Sequence, residues 1–156
     1  MNARFDEAVA TSQRILSLWP QAWFGHFFLA SNYAATHMSQ EAGAECGKVM
    51  EMLSGAYDMQ AMGMCAWALG AVGQTDEARR LLRIVEHPPK GRWLDLTVMG
   101  NAYGAVGDVD RSIAWYQKGM EERAPNMLYM KVGAPWDTAR GDPRFQARLR
   151  QMNFPG

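Results

Sequence analysis

His26, His37 and His87 are the residues whose side chains most readily ligate a metal. One falls in a helical pattern, one at a turn and one before Pro88, and no Asp or Glu stands at ligand spacing from them, so no metal is expected. Cys46 and Cys65 lie in apolar helical stretches without CxxC spacing and without a His in a nucleophile-activating arrangement. They read as small buried thiols of a reducing compartment, for which the cytoplasm is the default. The carboxylate pairs Asp76-Glu77 and Glu121-Glu122 are adjacent on helices and point apart, which suits solvated faces rather than acid-base work. Gly100, Gly104 and Gly107 sit within or at the end of a helix and form no phosphate-cradling loop. Nothing supplies nucleophile, base and oxyanion donor together, so no enzyme activity and no cofactor are expected.

The remaining question is what these residues are built into. A chain of 156 residues can bury a substantial core as one domain. Basic and acidic residues number 16 each, and the zero net charge gives no pull toward nucleic acid or an anionic membrane. Residues 1–60 carry three basic and six acidic groups, 61–130 eight of each, and 131–156 five and two. Arg4, Asp6, Glu7 and Arg14 interrupt any apolar leader, and no run is long enough to span a bilayer.

Breakers at Pro20, Gly55, Gly73, 87–91 and Gly107 divide the chain into helices near 3–18, 22–36, 39–53, 57–72, 75–86, 93–106 and 109–123. A repeat runs through them. The small residues Ala8, Ala42, Ala78 and Ser112, three of them preceded by an acidic residue, are spaced 34, 36 and 34 apart. A second column, Ala30, Ala66 and Gly100, is followed three residues later by the large Tyr33, Leu69 and Tyr103. Paired helices approach closely where a small side chain sits at the crossing and a large one fills the next gap, so each unit is expected to be a helix hairpin. Most of the twelve methionines, among them Met50, Met52, Met59, Met62 and Met64, are expected to fill the core of these hairpins.

Over about residues 1–125 the chain resembles tetratricopeptide repeats, most clearly in Trp93, Leu96, Gly100, Tyr103, Gly107 and Ser112. It departs from them at His26, where tryptophan is common, His37, where glycine is, and Cys65, where leucine is. The segment Glu121-Glu122-Arg123, Leu128 to Val132 and Asp142-Pro143-Arg144-Phe145-Gln146 resembles the tail that closes repeat regions of bacterial multidomain regulators. Such regulators join the repeats to a winged-helix domain, a nucleotide cyclase or a protein kinase. The expected fold is all-α, a right-handed α-solenoid of antiparallel helix hairpins with a C-terminal capping helix. Its divisions are a half repeat at 3–20, repeats at 22–54, 57–87 and 92–124, and a cap at 126–152.

The resemblance implies a protein-interaction or scaffolding role, with a partner segment held in a concave groove formed by the first helix of each hairpin. The matching positions are Phe24, Phe27, Ser31, Gln60, Gly63, Trp67, Leu94, Thr97 and Asn101. Of these only Asn101 fits a carboxylate clamp, so the groove reads as aromatic and small, suited to an apolar segment. Phe5 to Ala8 match the second helix of a hairpin, which leaves Ile15, Leu16, Leu18 and Trp19 without their usual cover and points to self-association as a homodimer, or to contact with a parent chain. A small-ligand sensor using Trp67 and Phe27 is the remaining alternative.

Overall fold

The computed structural model describes residues 3–130 and 134–152, so Lys131 and Val132 of the tail pattern lie outside the described residues. Among those described the protein is all-helical, without a strand. Helices α1 (Ala3–Leu18), α2 (Trp23–Ala35), α3 (Ser39–Leu53), α4 (Met59–Ala71), α5 (Thr75–Val85), α6 (Leu96–Ala105) and α7 (Val109–Glu121) come first. A 3₁₀ turn at Pro125–Tyr129, another at Ala134–Trp136, and the short helices α8 (Asp137–Arg140) and α9 (Pro143–Gln151) follow.

The packing is pairwise. Helices α2 and α3, α4 and α5, and α6 and α7 fold back on each other across residues 36–38, 72–74 and 106–108, and α4 also packs against both α2 and α6. Each of these turns needs one left-handed residue. Gly73 and Gly107 supply it at φ +80° and +82°, and His37 does the same at φ +59°. The position where the sequence departs from glycine therefore keeps the glycine's backbone.

The small-residue columns explain how the pairs approach. Ala30, Ala42, Ala66 and Ala78 are fully buried, as is Ser112, whose Oγ donates to the Gly100 carbonyl at 2.7 Å. Helix α4 is apolar around its whole circumference and is buried from Ala61 to Gly70 apart from Met64, as expected of a helix with neighbours on every side. Two glycines on α4, seven residues apart and so on one face, admit α6. A Cβ on Gly63 would lie 2.3 Å from Val98 Cγ1, and one on Gly70 would lie 2.9 Å from the Ala105 carbonyl carbon. Met59 and Met62 are core residues, with Met50 and Met64 packed at the edge.

Helix α6 begins at Leu96 rather than at residue 93. Asp95 sets this boundary, because its Oδ1 accepts from the Thr97 and Val98 amides and from the Thr97 hydroxyl. Trp93 is left before the helix, 62% exposed, where the resemblance had placed it inside.

The C-terminal segment closes the α6–α7 end with more than one helix. Asp142 accepts from the Arg144 amide at 2.8 Å and Pro143 opens α9, so that Phe145 is buried and Leu149 half-buried beside Ile113 and Tyr116. Trp136, from the preceding 3₁₀ turn, completes this second cluster. Arg144 reaches Asp110 on α7 at 2.9 Å. No described helix is long and apolar enough to cross a membrane.

Candidate functional site

The inward faces of α2, α4 and α6 meet in a half-open cavity of about 340 Å³. Helix α2 contributes Phe27, Phe28, Ser31, Asn32 and Ala35, α4 contributes Gly63, Met64 and Trp67, and α6 contributes Val98 and Asn101. Phe5 of α1 and Pro135 of the C-terminal turn complete the lining. The close approach at Gly63 brings Val98 and Trp67 into one wall. Phe27 and Phe28, ring centroids 5.4 Å apart, add two aromatic rings to the lining.

No ionisable side chain is among these residues. The polar side-chain groups present are two amides, a hydroxyl and the Trp67 indole N–H, and the amides and hydroxyl are already partly engaged. Ser31 Oγ donates to the Phe27 carbonyl at 3.0 Å and Asn32 Nδ2 to the Phe28 carbonyl at 2.9 Å. Asn101 Oδ1 accepts from the Tyr116 hydroxyl at 2.7 Å, which fixes the amide and leaves its Nδ2 hydrogens without a partner among the described residues. Burial pushes the Tyr116 phenol well above its ordinary pKa, so it remains the donor in that bond. The cavity is thus shaped for an apolar group with one hydrogen-bond acceptor near Asn101, and it offers no compensation to a buried charge.

Of the nine groove positions read from the sequence, the structure gathers Phe27, Ser31, Gly63, Trp67 and Asn101 in this cavity. Gln60, Leu94, Thr97 and Phe24 lie elsewhere. Gln60 Nε2 donates to Asp95 Oδ2 at 3.0 Å, and Asn126 Nδ2 reaches the same oxygen at 2.9 Å, so Gln60 helps tie α4 to the start of α6 and to the C-terminal turn. Thr97 is buried in the cap made by Asp95, and Leu94 packs against the core. Phe28 and Asn32, each one residue beyond a predicted groove position, were not singled out from the sequence, and Met64, likewise one residue beyond, was expected in the core. Their signal is only the width of a helix face, since a helix lines a groove with neighbours of its central residues as well.

The N-terminal end carries a second apolar surface. Leu18 and Trp19 are each 61% exposed and border, with Phe24, a shallow concavity of about 620 Å³. Ile15 and Leu16, expected to lack cover, are instead half-buried against α2. The reason is Gly25, whose missing side chain makes room for them: a Cβ there would stand 2.7 Å from Leu16 Cδ2.

The groups considered for chemistry occupy separate places. His26 Nδ1 meets Glu45 Oε2 at 2.6 Å, with Lys48 Nζ 2.7 Å from the other oxygen, in a link between α2 and α3. His87 Nδ1 faces the Arg83 carbonyl at 2.9 Å, and His37 is exposed. No group of three or more His, Cys, Asp or Glu suited to a metal occurs among the described residues. Cys46 and Cys65 are buried and unpaired, and the Cys46 thiol donates to the Cys65 carbonyl at 3.9 Å. The hydrogen bond with Cys46, together with burial, drives the Cys65 thiol far above its ordinary pKa. Glu77 is held below the usual carboxylate range by the Arg80 guanidinium beside it.

Compared with known proteins, the chain matches no family model, no curated protein and no solved structure.

Proposed function

We propose that the protein is a tetratricopeptide-like interaction module, a right-handed α-solenoid of helix hairpins whose concave groove receives an apolar segment of a partner protein. The observation that carries this reading is the cavity itself: Phe27, Ser31, Gly63, Trp67 and Asn101, which the tetratricopeptide resemblance implies share a groove, line one uncharged pocket drawn from α2, α4 and α6. Aromatic walls with a single oriented amide suit an extended or helical peptide that inserts one large apolar side chain. The resemblance of its C-terminal segment to the tails of bacterial regulators suits a regulatory or scaffolding setting. Binding would then carry the function without catalysis or a cofactor.

The experiment is selection of peptides from a random display library on the whole protein, followed by affinity measurement on Phe28→Glu. Phe28 lines the cavity and is 46% exposed, so this change alters the groove without emptying the core. A selected peptide that loses at least tenfold in affinity, about 1.4 kcal/mol, supports the reading. Selected peptides that bind Phe28→Glu as tightly as the original protein overturn it.

A second reading rests on a separate observation. The exposed Leu18, Trp19 and Phe24 surface supports self-association through the N-terminal end, in which the protein acts as an assembling structural unit.

A further inference from the structure

Three arginines converge on a small pocket that the groove reading does not use. Arg79 and Arg83 are four residues apart on α5 and so share a face, and Arg111 comes from the first turn of α7. With Leu82, Glu86 and Tyr103 they line a cavity of about 190 Å³. The volume is below the ~300 Å³ at which pockets for drug-sized ligands begin, and suits one compact group.

The guanidinium groups are positioned, and of the three only Arg111 has a carboxylate, that of Asp108, within ion-pair distance among the described residues. Arg79 Nη2 donates to the Val106 carbonyl at 3.1 Å, which anchors one corner of its fork and leaves the rest free. Arg111 Nη1 donates to the Tyr103 hydroxyl at 3.2 Å, with its Cζ 5.3 Å from the centre of that ring. Arg83 has no side-chain partner among the described residues. Glu86 is the one carboxylate in the lining, and it is engaged by the Tyr103 hydroxyl rather than by an arginine. Burial, and then the bond to Glu86, push the Tyr103 phenol up to about 12, so it stays protonated as the donor. Asp108 lies at the edge, 3.5 Å from Arg111 Nε.

Arg80 is paired with Glu77, Arg140 with Asp137, and Arg144 with Asp110 and Asp142, whereas Arg79 and Arg83 lie side by side in the pocket with no carboxylate at ion-pair distance among the described residues. In a chain with no net charge, the pocket between α5 and α7 is a place where positive charge gathers ahead of its counterions.

We propose that this pocket is an anion site for a single phosphoryl group, held by Arg79, Arg83 and Arg111. Planar guanidinium forks match the paired oxygens of a phosphoryl group, and two of the three are already held in place by the fold, so less ordering is required on binding. Glu86 opposes the ligand electrostatically and tunes the site toward weak, exchangeable binding. Two sources offer this chemistry, free inorganic phosphate and a phosphorylated side chain, and they are separable by experiment.

The test is NMR titration of the whole protein at constant ionic strength, following the arginine Nε–H resonances. Inorganic phosphate and a blocked phosphoserine (acetylated, amidated) are the probes, and sodium chloride is the control. The expected result is a saturable shift at Arg79 and Arg83 that chloride does not reproduce. Arg83→Gln, an exposed change, should weaken binding at least tenfold, and Glu86→Gln should tighten it several-fold. Tighter binding of phosphoserine than of phosphate assigns the site to a modified side chain, and the reverse assigns it to the free ion. Absence of saturation with both probes, or saturation that Arg83→Gln leaves unchanged, overturns the proposal.

Discussion

A methyl group added to Gly100 would come within 2.1 Å of Cε1 and 2.4 Å of Cδ1 of Tyr116. The ring cannot retreat easily, because Trp136 lies 4.8 Å from it and Phe145 5.5 Å, centroid to centroid. Its hydroxyl holds Asn101 in the groove wall. One helix crossing therefore joins the column of small residues, the C-terminal cluster and the cavity.

Gly100→Ala should destabilise the protein by about 1–3 kcal/mol, the usual range for forcing a methyl group into a packed core. Urea denaturation followed by circular dichroism measures it. An unchanged midpoint would show that the α6–α7 crossing is looser than described.

His37→Gly should have the opposite sign. His37 holds a left-handed backbone at φ +59°, where a residue with a Cβ is disfavoured by roughly 1–2 kcal/mol. Relief of that cost, partly offset by the greater freedom of glycine in the unfolded chain, leaves a gain of about 1 kcal/mol. Gly73→Ala is the mirror experiment. A Cβ on Gly73 would meet no atom within 4 Å, so its expected loss of about 1 kcal/mol is a backbone effect alone.

Acid should weaken the C-terminal cap. The Arg144 side chain, bonded to Asp142, lowers that carboxyl from its ordinary value to about 2. A carboxylate with a depressed pKa in the folded state adds stability that is fully present above the unfolded value near 3.8 and is lost as pH falls toward about 2. NMR signals of Phe145 and Trp136 should therefore broaden or shift between about pH 4 and pH 2. Asp142→Asn, which retains a capping oxygen, should remove the pH dependence of that step.

Light scattering addresses the N-terminal surface. The self-association reading predicts a dimer for the unaltered protein and a folded monomer for Leu18→Glu combined with Trp19→Glu. Leu18 and Trp19 are the suitable positions, because Leu16 already packs against Gly25. A monomer in both cases would remove the second reading.

The helices and their pairing were legible because period and punctuation agree. Gly73 and Gly107 end helices by their left-handed backbones, and Ala42, Ala78 and Ser112 are buried at the crossings. Long-range polar ties were not legible. Nothing in the local sequence says that Gln60 and Asn126 both reach Asp95, 35 and 31 residues away, and that tie holds Gln60 away from the cavity. The end of the chain was read as one capping helix, whereas Trp136 and α8 add a layer built from short irregular turns whose hydrogen bonds are local and leave little periodic pattern. Cover for Ile15 and Leu16 depended on Gly25, a residue whose significance emerges only when α1 and α2 are placed together.

The central claim is that a partner segment occupies the cavity between α2, α4 and α6. Amide and methyl NMR mapping of the whole protein with a library-selected peptide tests it most directly. The account predicts that the largest shifts fall on Phe28, Ser31, Met64 and Asn101, with the Asn101 side-chain amide moving as it gains an acceptor. Shifts confined to other surfaces, with these four residues unmoved at saturation, would contradict it.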